Sequence, residues 1–345
     1  MYLKVKKNRA EEIRKKLIKS EIYDRCGKIL HEGEFVLLPV KKEAEKEILI
    51  EIKDSEIVAL ETEKIKRKPF SLKDALRGKL TEDELKLVPS SFDIIGDIAV
   101  LEIPDELKGK SELIGNSLLR TFKNIKVVAD KIESVGTEFR TRKVNVIAGD
   151  MRTETLHREQ GCVYNLDIVN SYFSPRSGTE RMRVVRQIKD GEKVLVCFAG
   201  IGPFAVLAAK KRNVMVYAIE LNPDAVKYMK ENIKLNKVRV CAICGDVRTE
   251  TPELVENYGK FDRIIMPLPK DAEHFLDVSL SAIKNKGIIH FYCFAHTADD
   301  AAAKVKEICE KLNENLKIKI LGANECGSYS PCLSRICVDF RVKDI

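Results

Sequence analysis

Long apolar runs are missing from this chain. Its N-terminus has no apolar core of the kind that opens a secretion signal, and no segment approaches the roughly 18 apolar residues that span a bilayer. A cytoplasmic protein, not exported by a cleaved signal, is expected. Glutamine is nearly absent, with only Gln160 and Gln187, while Lys and Glu dominate the polar residues. That bias points toward a heat-adapted source, whereas ten cysteines point the other way. Cys241-Ala-Ile-Cys244 has no second pair at metal spacing, and Cys326, Cys332 and Cys337 are scattered. No metal is expected, and Cys241 and Cys244 read as buried structural thiols in a strand. The five histidines, His31, His157, His274, His290 and His296, are dispersed and form no hydride-transfer constellation. Internal repeats and low-complexity segments are lacking as well.

What is present suits two or three domains in 345 residues, with 44% apolar and 33% charged content. The net charge of +8 permits a polyanionic partner without demanding one. Its distribution says more. From Arg176 to Lys189 there are five basic residues and a single acid, Glu180.

Residues 1–65 read as a small module. Ile13, Leu17 and Ile18 recur at helical spacing between Glu11 and Lys19, and Phe35 to Val40 and Ile48 to Ile52 read as strands. Lys64-Ile-Lys-Arg-Lys-Pro-Phe70 is the linker expected after it. Residues 70–170 read as an α+β middle domain. Strands are expected on either side of a turn at Gly96-Asp97, then at Ile125 to Ala129, Lys143 to Ile147 and Cys162 to Ile168. In residues 171–345 short apolar strands alternate with helices. The strands are Val194–Cys197, Val214–Ile219, Val238–Cys244, Arg263–Met266 and Gly287–Phe291, with helices at Asp224 to Asn236 and Ala301 to Leu312. Such alternation implies an α/β fold with a parallel, doubly wound sheet. Two closing strands, Ile318–Leu321 and Arg335–Phe340, suit the class I (Rossmann-like) methyltransferase version of that sheet.

Phe198-Ala-Gly-Ile-Gly-Pro-Phe-Ala205 follows a strand and opens a helix. Gly200 and Gly202 let the backbone turn sharply and approach a ligand. Glu220, twenty residues on, stands where a carboxylate can accept both ribose hydroxyls, and Asp246 where one can meet an adenine amino group. The loop fits S-adenosylmethionine and also a dinucleotide. Asn222-Pro223 and Gly245-Asp246 tilt the reading toward S-adenosylmethionine.

Tyr172-Phe-Ser-Pro-Arg-Ser-Gly-Thr-Glu-Arg181 joins the middle and last domains, combining aromatics, arginines and one carboxylate. An acid in a first helical turn is favoured by the macrodipole in any protein, and arginines can form a solvated face. The segment gains meaning from its companions. Together with Ser91-Phe-Asp-Ile-Ile-Gly-Asp-Ile98, Glu138-Phe-Arg-Thr-Arg142, Ala148-Gly149, Leu156-His-Arg-Glu-Gln-Gly161 and the glycine loop, it resembles the archaeal and eukaryotic tRNA (guanine-37) N1-methyltransferases. The motifs stand in the family's order over nearly the whole chain.

The resemblance implies an S-adenosylmethionine-dependent enzyme, expected as a monomer, that methylates N1 of the guanosine 3′ of the anticodon. Glu180 matches the general base and Arg140 the arginine at guanine O6. Tyr172, Phe198, Gly200, Gly202, Glu220, Asp246, Pro267 and Leu268 match the cofactor pocket. Arg142, Arg176, Arg181 and Arg186 fall where RNA contacts are expected, and residues 1–65 match a module that reads the tRNA outer corner. The chemistry suits these residue types. Guanine N1 is protonated at neutral pH, so a carboxylate must free its lone pair, a gain of ~10²–10⁴-fold. Charge then moves to O6, where a guanidinium stabilises it, and the base must leave its stack first.

Two positions depart from the family pattern. Val196 stands where many class I enzymes carry Asp, and Pro267 stands where many relatives carry Asn. A proline-bearing subgroup of the family that this chain resembles includes enzymes that also methylate C7 of the wyosine precursor, so dual activity is one reading. Rival readings are an aminocarboxypropyl transferase of wyosine synthesis, an NAD-linked oxidoreductase, and an RNA-binding protein with a vestigial fold.

Overall fold

The computed structural model describes residues 1–20, 22–24, 27–41, 52, 55–60, 71–133, 143–330 and 332–343. The chain divides into two compact units, Met1–Phe70 and Ser71–Ile345.

Among its described residues, the first unit packs helix α1 (Ala10–Lys19) on a four-stranded sheet. Strands β1 (Tyr2–Lys6), β2 (Leu30–Glu32), β3 (Phe35–Pro39) and β4 (Glu56–Val58) lie in the order β2-β3-β1-β4. Helix α1 (Ala10–Lys19) buries Ile13 and Leu17, one turn apart, against Leu3, Val5, Val36 and Leu38. Each such side chain stabilises the unit by about 1.5–3 kcal/mol. Its outer face carries the pairs Glu11–Arg14 and Glu12–Lys16. Apart from Ile52, the strand expected at Ile48 to Ile52 lies outside the described residues, as does the whole Lys64–Phe70 linker.

The second unit begins with short helices α2 (Leu72–Leu76) and α3 (Glu82–Leu87), the latter opened by a Thr81–Glu84 capping box. Strands β5 (Asp93–Ile95) and β6 (Ile98–Leu101) form the expected hairpin around Gly96-Asp97. Helix α4 (Ser111–Thr121) then crosses over to β7 (Val127–Glu133), parallel to β6, and β8 (Lys143–Gly149) closes the sheet β5-β6-β7-β8. A separate hairpin follows, β9 (Glu154–Glu159) with β10 (Cys162–Asp167).

The remainder is the doubly wound sheet. Its elements in chain order are α5 (Gly178–Gln187), β11 (Lys193–Val196), α6 (Pro203–Lys211), β12 (Met215–Glu220), α7 (Pro223–Asn236), β13 (Val240–Cys244) and α8 (Val247–Tyr258). They continue with β14 (Phe261–Met266), α9 (Leu276–Ala282), β15 (Ile283–Ala295), α10 (Ala298–Leu312), β16 (Lys317–Ser330) and β17 (Leu333–Lys343). The strand order is β13-β12-β11-β14-β15-β17-β16, all parallel except β17, which is antiparallel to both neighbours. Order runs outward from β11 in both directions. The loops after β11 and β14 therefore part, opening a crevice at the carboxyl ends of the strands.

Residue 170, expected as a domain boundary, falls within a continuous core. Tyr164, Leu166 and Ile168 share one buried cluster with Val184, Val194 and Ala205. Two asparagines on α7 also clamp β10. The Asn232 amide accepts from Asn165 N at 2.6 Å and donates to Asn165 O at 3.1 Å. One turn later Asn236 repeats the pattern with Val163, at 2.9 and 2.6 Å. The pair completes the edge of the hairpin as a strand would, satisfying buried backbone groups.

One expectation fails here. Cys241 and Cys244 are exposed rather than buried, because among the described residues β13 is an outer strand of the sheet with no strand beyond it.

Candidate active site

The glycine loop turns out of β11 through three residues in the left-handed region, Phe198 (φ 54°), Gly200 (φ 56°) and Gly202 (φ 84°). A Cβ at Gly202 would strike Met229 Cγ at 2.8 Å, so glycine is demanded there twice over, by φ and by space. Pro203 then starts α6. Val196 supplies no carboxylate to steady the loop, and other groups do so. Gly200 N donates to Glu220 Oε2 at 2.7 Å, and the Asn232 amide donates to Ile201 O at 3.0 Å. Glu220 Oε1 accepts from Asn222 N at 2.8 Å, which orients its carboxylate at the carboxyl end of β12.

Facing this loop is the first turn of α5. Pro175–Ser177 forms a 3₁₀ turn that feeds the helix, and Glu180 follows, only 8% exposed. A buried carboxylate needs donors. Arg183 gives two, Nε to Oε2 at 2.7 Å and Nη2 to Oε1 at 2.8 Å, and the Tyr292 hydroxyl donates to Oε1 at 2.7 Å. Burial first, then the charges of Cys337 and Glu180, hold the Tyr292 phenol far above its ordinary range, so it stays a donor. The Cys326 thiol also faces Glu180. Burial, followed by the charge of Glu180, pushes it up to about 12.

Behind Glu180 runs a chain of alternating charge. Arg183 binds Asp339 through Nη1 at 2.5 Å and Nη2 at 3.2 Å. Asp339 Oδ1 meets His290 Nδ1 at 2.6 Å, and His290 Nε2 meets Arg263 Nη1 at 2.8 Å. Arg263 ends the chain on Glu192, at 2.7 and 3.0 Å. A guanidinium can only donate, so Nε2 of His290 is the acceptor and Nδ1 carries the proton given to Asp339. The imidazole is neutral, and burial lowers its pKa. Burial opposes the Asp339 charge, but the bonds from His290 and Arg183 outweigh it and hold its pKa well below the carboxylate range. His290, Cys337 and Asp339 could gather on a metal. Arg183 and Arg263 already occupy that neighbourhood as cations.

A cleft separates the loop from α5. Of the residues singled out from sequence, it gathers Tyr172, Glu180, Arg181, Phe198, Gly200 and Pro267. Gly202, Glu220, Asp246 and Leu268 stand outside its walls. Asp246 is an exposed N-cap of α8, accepting from Arg248 N at 2.7 Å, and Leu268 packs on the apolar core while its N–H closes a tight turn to Met266 O at 2.8 Å. Arg140 and Arg142 lie outside the described residues.

A second depression, on the other side of Glu180, is lined by Arg176, Arg183 and Arg186 together with Asn324 and Cys326. Arg176 and Arg186 are exposed there, and Arg176 also pairs with Asp93 at 2.6 Å. Arg181 does not join them. It is 3% exposed, its fork is held by Glu159 at 2.8 and 2.5 Å, and it stacks on Phe173. The expected phosphate contact is thus replaced by a structural ion pair, since adjacent helix positions point about 100° apart. Sequence reasoning missed Tyr292, Cys326, Asp339 and Arg335. Each comes from a strand far along the chain and leaves no local signal.

Comparison with known proteins sharpens this geometry. Residues 155–320 match the TRM5/TYW2 methyltransferase domain, residues 72–153 the TYW2 N-terminal domain, and residues 3–48 the tRNA methyltransferase 5 N-terminal domain. A relative from Pyrococcus abyssi, tRNA (guanine(37)-N(1))-methyltransferase Trm5b, is 41% identical over 99% of this chain and 98% of its own. The chain belongs to the TRM5/TYW2 methyltransferase family. The Pyrococcus abyssi crystal structure overlays with a TM-score of 0.77 at 40% identity, covering 99% of each chain. The family also includes tRNA (guanine(37)-N(1))/4-demethylwyosine(37)-methyltransferase Taw22 of Nanoarchaeum equitans, 35% identical over 66% of this chain and 92% of that protein. A solved complex of aTrm5 and tRNALeu matches with a TM-score of 0.71 at 32% identity, covering 99% of this chain and all of that one. Family membership retires the dinucleotide reading of the glycine loop. The family's methyltransferase match begins at 155 and so takes in the β9–β10 hairpin. Among the described residues no helix is long and apolar enough to cross a membrane.

Proposed function

We propose that this chain transfers a methyl group from S-adenosylmethionine to N1 of guanosine-37 in tRNA, and that it works in the cytoplasm. The observation that carries the reading is Glu180, buried in the cleft wall opposite the glycine loop and oriented by Arg183 and Tyr292.

The cleft fits the cofactor. At Gly200 a Cβ would meet nothing nearer than Tyr172 O at 3.5 Å, so the loop leaves a hollow rather than a packed turn. Tyr172 and Phe198 offer apolar walls; outside those walls, Glu220 ends β12 and Asp246 caps α8 just after the adjacent β13, and these two are assigned to the ribose hydroxyls and the adenine amino group. When bound, S-adenosylmethionine supplies an electrophilic methyl on a positively charged sulfur. Glu180 takes the N1 proton, which frees the lone pair that forms the new N–C bond. Arg140 is assigned to the charge that moves onto O6. Arg176 and Arg186, exposed beside Glu180, are placed to meet phosphates of the splayed loop. The first unit is assigned to the tRNA outer corner.

A second substrate has one specific support. Pro267 presents no side-chain amide to the cleft, and the relative named for both activities, Taw22, is 35% identical. C7 of 4-demethylwyosine is therefore a further target. Transfer of an aminocarboxypropyl group is disfavoured by the match of residues 3–48 to a tRNA methyltransferase 5 domain. The test offers methyl-labelled cofactor to tRNA transcripts with G or A at position 37, followed by mass spectrometry of the nucleosides. Label in 1-methylguanosine from the G transcript alone supports the reading. Label elsewhere, or an aminocarboxypropyl product from unlabelled cofactor, overturns it.

A further inference from the structure

Three arginines around the cleft are neutralised. Arg176 pairs with Asp93, Arg181 with Glu159, and Arg183 with Glu180 and Asp339. Arg335 is different. It lines the same cleft as Glu180, Tyr292 and Pro267, yet among the described residues no carboxylate lies within ion-pair distance of it. Its Nη2 donates to Ser177 Oγ at 3.1 Å and to Cys326 O at 2.8 Å, which fixes the plane of the guanidinium. Its Nε is buried with no acceptor. A desolvated donor on an uncompensated cation is costly unless a ligand completes it.

Its place in the sheet says which ligand. The glycine loop leaves β11, Pro267 follows the next strand, β14, and Tyr292 lies on β15. Arg335 opens β17 beside Phe294, at the carboxyl end of β15. It therefore stands beyond Pro267 from the cofactor loop, on the side left for the target base.

We infer that Arg335 is a further catalytic residue, its guanidinium donating to the oxo group of the target base while Glu180 removes the neighbouring proton. The inference rests on the cleft being a guanosine N1-methylation site. N1 and O6 are joined through one carbon. As the N1–H bond breaks, its proton goes to Glu180 and its electron pair spreads to O6, where Arg335 stabilises it as a second guanidinium beside the one assigned to Arg140. N1 then bonds the methyl carbon, and the electron pair of the broken carbon–sulfur bond returns to sulfur. Arg335 keeps its protons throughout.

The test is a cycle between protein and substrate. Single-turnover rates are measured for wild type, Arg335→Lys and Arg335→Met on tRNA carrying guanosine or 6-thioguanosine at position 37, sulfur being the poorer acceptor. The expected loss for Arg335→Met on guanosine is ~10²–10³-fold, the usual effect of removing one such donor. Thio substitution should slow wild type markedly more than it slows Arg335→Met, with S-adenosylhomocysteine affinity unchanged. Equal thio effects in wild type and both variants would overturn the inference while leaving the methyltransferase reading intact. Wild type inert on guanosine-37 would overturn that reading first. Should Arg335→Met misfold, Arg335→Lys carries the same comparison, with a thio effect smaller than that of wild type expected.

Discussion

Arg183 grips Glu180 from one turn further along the same helix, with two hydrogen bonds to its carboxylate and two more to Asp339 on β17. One guanidinium thus ties the candidate base to the far strand. Arg183→Met leaves both acids, each nearly buried, without their shared cation. The expected cost is about 3–5 kcal/mol in stability, read by urea denaturation, together with slower methyl transfer. Adding Asp339→Asn should recover much of the stability and none of the rate, because Glu180 stays unheld.

The same chain sets a pH dependence. His290 is buried neutral, with its pKa lowered by burial, whereas in the unfolded chain it takes a proton below about pH 6.5. Its contribution is present above that pH and is lost as pH falls. Asp339, held low by His290 and Arg183, contributes stability above about pH 4 that drains away in stronger acid. Denaturation midpoints of wild type should therefore fall from pH 7 to 5, by up to about 1.4 kcal/mol per pH unit from His290. His290→Asn should remove one proton's worth of that slope. Identical slopes in the two proteins would contradict the neutral assignment.

Gly200 and Gly202 separate backbone strain from crowding. Both have positive φ, but only at Gly202 does a Cβ collide, with Met229. Gly200→Ala carries the left-handed penalty of about 1–2 kcal/mol, and Gly202→Ala carries that plus displacement of a core side chain. Titration with S-adenosylhomocysteine should show the larger loss of affinity in Gly202→Ala.

Asn232 is fully buried and bonds both the β10 edge and the glycine loop. Asn232→Ala orphans three backbone groups, at about 1–3 kcal/mol for each that water cannot reach. A lowered melting temperature and weaker S-adenosylhomocysteine binding are expected together. A melting change with unaltered binding would detach Asn232 from the loop.

The doubly wound sheet was readable because its inner strands are buried on both faces, so Val194–Cys197 and Ile264–Met266 appear as unbroken apolar runs. Strand rank was not readable, and the thiols of β13 were misjudged for that reason. β9, with the sequence Glu-Thr-Leu-His-Arg-Glu, has little strand pattern of its own and forms by pairing with β10. At the site, Glu180 and the glycine loop stood out because their signals are local. Tyr292 lies 112 positions from Glu180, and Asp339 lies 156 from Arg183, so only the fold brings them together. Arg181 misled because sequence adjacency to Glu180 says nothing of direction, and its side chain goes to Glu159 instead.

The most direct test is Glu180→Gln in single-turnover methyl transfer to a transcript with G at position 37. The amide keeps the size and accepts one hydrogen bond but cannot take a proton. A fall of ~10²–10⁴-fold, with S-adenosylhomocysteine and tRNA affinities preserved, is the expected result. Transfer at the wild-type rate would remove Glu180 from the chemistry and the account with it.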